Sequence, residues 1–110
     1  MAWYIYVVRF VGGGFLANAI PHLVNGVCGK PFPSPFASPP GRGESSPVVN
    51  VFWGMVNFVV GYLLVLGVGT FGGRLSIDAC VVGLGFLVTA LGLARAFSRP
   101  YSPHQVAKVQ

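Results

Sequence analysis

The chain has 110 residues and a formal net charge of +5, with 54% apolar side chains and only 8% charged ones. A soluble domain carries about a quarter charged residues, so this chain lacks the polar material to cover a soluble core, and its length allows one domain at most. Its seven Lys and Arg stand singly between apolar runs, which speaks against nucleic acid as a partner and for charges that flank membrane spans.

Three apolar runs predict an all-α membrane protein of three transmembrane helices, each run supplying the roughly 20 residues that a span needs. The first, about 3–27, contains Arg9, Asn18, Pro21, His22 and Asn25. Its apolar residues begin at once and no convincing cleavage site follows, so it reads as a retained helix rather than a signal peptide. Pro21 has no amide hydrogen and disfavours helical geometry at Ile20. A kink or break is expected there, with the Ala17 carbonyl freed for polar neighbours. The alternative is a helix that ends near Asn18, with Pro21 opening a short interfacial helix. Gly12, Gly13 and Gly14 lie inside this run with no strand before them, which argues against a phosphate cradle. Arg9 is expected to snorkel toward the outer face, where Asp78, at the start of the third run, would approach it.

Residues 29–47 form a loop with six prolines. Proline fixes φ and removes a donor, so extended segments and turns are expected rather than a helix or a central strand. Phe32 and Phe36 favour a bilayer interface, and the loop is expected to lie along the membrane surface or cap the helices. The stretch from Gly41 to Ser46 can bind an anion through backbone donors, but ordinary turn chemistry explains it equally.

The second run, about 48–68, carries Asn50 and Asn57, with Gly54 and Gly61 on a similar face. Asn18, His22 and Asn25 recur at i, i+4 and i+7, one face of a helix. The first helix ends and the second begins on the same side, so the two polar faces can meet at similar depth. Amides and an imidazole in hydrocarbon need partners. The bland reading is an interhelical hydrogen-bond lock; the sharper one is a polar pocket for a lipid head group, quinone or ion. A bis-histidine haem at His22 would need His104 as its second ligand, a weak signal, and no cofactor is predicted.

The link 69–75 is short and is expected to fold the second and third helices into an antiparallel hairpin. The third run, about 77–97, has Ser76 as its N-cap and Asp78 in its first turn. Gly13/Ala17, Ala79/Gly83 and Ala90/Ala94 are small pairs at a spacing that permits close helix approach. The tail 98–110 reads as polar and flexible. Cys28 and Cys80 are placed near opposite faces of a hydrocarbon core about 30 Å thick. A disulfide needs Cα atoms within about 7 Å, so both read as packing residues.

The loop and the C-terminal end share one side and carry Lys30, Arg42, Arg95, Arg99 and Lys108. The positive-inside rule then places them in the cytoplasm and the N-terminus outside.

The stretch NAIPHLVNGVCGKPFPSPFASPPGRGESSPVVNVFWGMVN, Asn18 to Asn57, resembles a pattern in small bacterial integral inner-membrane proteins of no established activity. It covers about a third of the chain, implies a bacterial inner-membrane location and transfers no site. With no nucleophile, metal or phosphate motif in the sequence, the expectation is a non-enzymatic protein that works by helix association with itself or a larger membrane complex. The alternative is a homo-oligomeric transporter, channel or ligand-binding protein built on the Asn18/His22/Asn25 and Asn50/Asn57 faces.

Overall fold

A computed structural model describes residues 2–40, 42–72 and 76–98 of the chain. Helix α1 spans Trp3–Val27, the two-residue strands β1 and β2 span Phe32–Pro33 and Glu44–Ser45, and helices α2 and α3 span Pro47–Leu66 and Ile77–Ser98. All three helices are long and apolar enough to cross a membrane.

Local chemistry sets the ends. α1 stops where Gly29 takes φ +74°. The Lys30 amide returns to the Asn25 carbonyl at 2.8 Å and the Gly29 amide to Gly26 at 3.0 Å, so two terminal carbonyls find partners and the chain turns. α2 opens on a Ser46 cap whose hydroxyl accepts from the Val49 amide at 3.2 Å, with Pro47 at the first position, where its missing donor costs nothing. That places the start at 47, and the helix closes at Leu66 rather than continuing to 68. Ser76 caps α3 through the Ala79 amide at 3.2 Å.

α1 runs without interruption through Pro21. A membrane helix tolerates proline where neighbours satisfy the backbone it disturbs. The missing Pro21 donor frees the Ala17 carbonyl, but the Asn25 side-chain amide binds the Pro21 carbonyl at 2.7 Å instead.

The arrangement of the helices corrects the hairpin expectation. α1 packs on both α2 and α3, whereas α2 and α3 barely touch. The described part of their link, through Gly69 and Phe71, lies against Ile5 and Arg9 of α1. Glycine explains why α1 takes the middle. A Cβ at Gly13 would overlap the Val82 carbonyl of α3, and one at Gly85 would overlap the Phe10 carbonyl of α1. Backbone therefore meets backbone at this crossing, the close approach that small residues permit in lipid. Against α2, Gly12 and Gly61 face each other in the same way, each Cβ falling about 3.0–3.3 Å from the other's carbonyl. Gly83 takes no part: it is exposed, with open space before it. Gly85 holds the position that the Ala79/Gly83 pairing assigned to Gly83.

The segment between α1 and α2 folds back over the helix ends. β1 and β2 pair antiparallel, Phe32 with Ser45 and Pro33 with Glu44. Only a helix or a central strand was excluded among these prolines; a two-stranded ribbon accommodates Pro33 because each strand has a free edge. Phe32 is buried, with its ring tilted against that of Phe97 of α3 at 4.7 Å between centroids. Phe36 stays exposed, with its ring edge-on to Trp53 at 5.1 Å.

Candidate functional site

Side chains that are polar and buried lie in two clusters toward opposite ends of α1, thirteen residues or about 20 Å apart at helical rise. At the loop end stand His22, Asn50 and, one turn deeper, the Asn18–Asn57 pair. At the other end stand Arg9 and Asp78.

Asn50, wholly buried, organises the first cluster. Its Nδ2 lies 3.0 Å from the Phe32 carbonyl and 3.1 Å from those of Ser45 and Ser46. Two amide hydrogens thus serve three carbonyls, which pins the ends of the ribbon to the first turn of α2. Only a donor is compatible with that triad, so the amide orientation is fixed and Oδ1 faces His22 Nδ1 at 2.7 Å. An amide oxygen only accepts. His22 therefore donates through Nδ1–H, and in the neutral ring its Nε2 is left as a bare acceptor. The ring is held edge-on by Phe32 at 5.4 Å and by Trp53 at 6.4 Å.

One turn on, Asn18 Nδ2 donates to Asn57 Oδ1 at 2.9 Å, and Asn57 Nδ2 donates to the Trp53 carbonyl of its own helix at 2.8 Å. The structure thus brings together Asn18, His22, Asn50 and Asn57. It does not bring Asn25, which bonds within α1 to the Pro21 carbonyl. Ser34 and Ser45, whose hydroxyls bond to each other, belong to the buried set. Nothing in their sequence context distinguishes them from solvated loop serines.

Arg9 does not snorkel: it is 0% exposed. Its Nη1 donates to the Leu64 carbonyl at 3.0 Å, in the last turn of α2, where a cation meets the negative end of the helix dipole. Its Nε lies 3.3 Å from Asp78 Oδ1. Neither atom makes an aligned hydrogen bond among the described residues, so the pairing is one of charge. The Phe71 ring lies 5.5 Å from the guanidinium. Asp78 Oδ2 accepts from the Gly72 amide at 2.9 Å. One ion pair therefore joins all three helices and the link between them.

Since α2 and α3 barely touch, a strip of α1 is left uncovered between them. A groove of about 340 Å³ runs along it, lined by Phe10, Val11, Gly14, Phe15, Asn18, Asn57 and Thr89. At the loop end a cleft of about 170 Å³ is lined by Asn18, His22, Trp53, Phe97 and the turn Pro33-Ser34-Pro35. Asn18 borders both. Arg74, Arg99, His104, Lys108, Gly41 and the tail 99–110 lie outside the described residues, as does any His22–His104 pairing. Among the described residues no group of three His, Cys, Asp or Glu side chains comes together to hold a metal.

Comparison with known protein families, curated proteins and solved structures finds no match for this chain.

Proposed function

We propose that this chain is a non-enzymatic membrane protein that works by helix association, with a second copy or as an accessory subunit of a larger membrane complex. The observation that carries the reading is the outer face of α3. Gly83 lies there with nothing within 4 Å. A glycine facing lipid gives acyl chains little to pack on and weakens the helix. Its use in a membrane is to let another helix come close. The alternative, a homo-oligomeric channel lined by asparagines and His22, has less support, because those amides bond one another rather than face a shared axis.

A bacterial cytoplasmic membrane, with the N-terminus outside and the loop and C-terminus inside, fits the charges. Lys30, Arg42 and Arg95 lie at the loop end, while Arg9 at the opposite end is neutralised by Asp78. Phe36, exposed beside Trp53, suits an interfacial position for the loop. The test is the native mass of the protein extracted in mild detergent. A multiple of 11.6 kDa supports self-assembly, a mass containing other chains supports an accessory subunit, and a monomer in both detergent and lipid nanodiscs overturns association. A C-terminal fluorescent reporter that matures only in the cytoplasm tests the orientation, and a dark fusion would reverse it.

A further inference from the structure

We propose that the His22 cleft and the groove beyond Asn18 bind one lipid-borne molecule: an uncharged hydroquinone ring in the cleft, with its apolar tail in the groove. This goes beyond helix association and does not rest on it.

The ring's place follows from His22. The side chain is 2% exposed and lines the cleft. Its Nδ1–H is committed to Asn50, whose orientation three carbonyls fix. Nε2 remains, and no described group donates to it. As the ring's free acceptor at the cleft, it favours a ligand that supplies an O–H over one that only accepts. Asn18 lines the same cleft; one of its Nδ2 hydrogens is bound to Asn57, which leaves the second hydrogen and the carbonyl oxygen, a donor and an acceptor that a ligand hydroxyl can both meet.

The walls narrow the chemistry. Among the described residues no Lys, Arg, Asp or Glu lines either space, so none of them offsets the charge of a phosphate or ammonium head in a medium of low dielectric. Trp53, Phe97 and two prolines border a space of about 170 Å³; a cavity of about 150 Å³ accommodates benzene, so one ring fits and a porphyrin does not. The groove that shares Asn18 is larger, opens between α2 and α3, and is lined by Phe10, Val11, Gly14 and Phe15 on α1. Polar cleft and apolar groove in series match a ring that carries hydroxyls at one end and a hydrocarbon chain at the other.

The test uses the full chain in lipid nanodiscs under reducing, anaerobic conditions. Trp3→Phe leaves Trp53, which lines the cleft, as the sole tryptophan reporter. The probes are a decyl-chain benzoquinol and its dimethyl ether, which keeps ring and tail but has no donor. The benzoquinol should quench Trp53 saturably, and the ether should bind roughly tenfold or more weaker, the worth of one buried hydrogen bond. His22→Asn places an amide donor where Nδ1 was and removes Nε2. It should keep the Asn50 bond and the melting temperature, and lose benzoquinol affinity by a similar factor. Equal binding of benzoquinol and ether to the parent protein, or no saturable binding of either, overturns the proposal. So does a folded His22→Asn variant that binds as the parent does. If that variant does not fold, the comparison of the two probes on the parent protein decides alone.

Discussion

Arg9 is the most expensive side chain in the chain to keep inside a membrane, and its surroundings explain why it is tolerated there. A guanidinium at mid-membrane costs on the order of 3 kcal/mol on insertion scales. Arg9 recovers this from the Leu64 carbonyl, the Asp78 carboxylate and the Phe71 ring. Removing one member of a buried pair strands the other. Arg9→Met is therefore expected to destabilise the protein by about 3–5 kcal/mol, read by reversible unfolding in detergent. Arg9→Met with Asp78→Leu should recover much of the loss, and a double variant no better than the single would show that the two charges do not act as a pair. The asparagines should separate in the same assay. Asn57→Leu loses one interhelical bond, about 0.6–1.7 kcal/mol. Asn50→Leu strands the Phe32 and Ser45 carbonyls and the His22 N–H together, and should cost at least about 2–3 kcal/mol. Equal losses would mean that the loop is not held through Asn50. That Asn18, His22, Asn50 and Asn57 need partners was legible in the sequence, because hydrocarbon offers them none; that Asn25 finds its own within α1 was not. Where Arg9 points was not, because its direction depends on a carbonyl 55 residues away.

At the scale of the helix, the three spans were readable from length and apolarity, but their order in space was not. Short links place consecutive helices side by side only when their faces fit, and the faces that fit here are the glycines of α1. A clue was present: the first run is the least apolar of the three, and α1 is also the most enclosed helix, while the most apolar, α3, is the least enclosed. Lipid accepts the apolar helix on nearly every side, and polar side chains draw the other into the middle. The glycines test this order. Gly13→Ala or Gly85→Ala would drive a methyl into a carbonyl across the α1–α3 crossing, so the helices must part. Overpacking of this kind costs about 1–3 kcal/mol. Gly83→Ala and Gly92→Ala meet open space and should leave monomer stability unchanged or raise it by less than about 1 kcal/mol. Detergent melting of the four variants checks this, and a penalty at Gly83 matching that at Gly13 would place α3 the other way round.

For the whole molecule the open question is what meets the outer face of α3, and the chain carries its own reporter there. Cys80, Leu84, Leu87 and Leu91 are all exposed and follow one another by three or four residues, with exposed Gly83 three residues after Cys80, so they form a single stripe. In a parallel two-fold pair each residue on such a stripe faces its own copy, and Cys80 would lie beside Cys80. Mild oxidation of native membranes should then give a disulfide-linked species of twice 11.6 kDa. Cys28→Ser should retain it, since Cys28 caps the opposite end of α1; Cys80→Ser should abolish it. Gly83→Phe should also abolish it while the monomer stays folded, because a ring at the crossing holds the two backbones apart. If Cys80 reacts with an added maleimide but forms no dimer, the stripe faces lipid or a different chain. A native mass containing that other chain would then assign α3 as the surface of an accessory subunit, with Gly83→Phe releasing the partner instead of splitting a dimer.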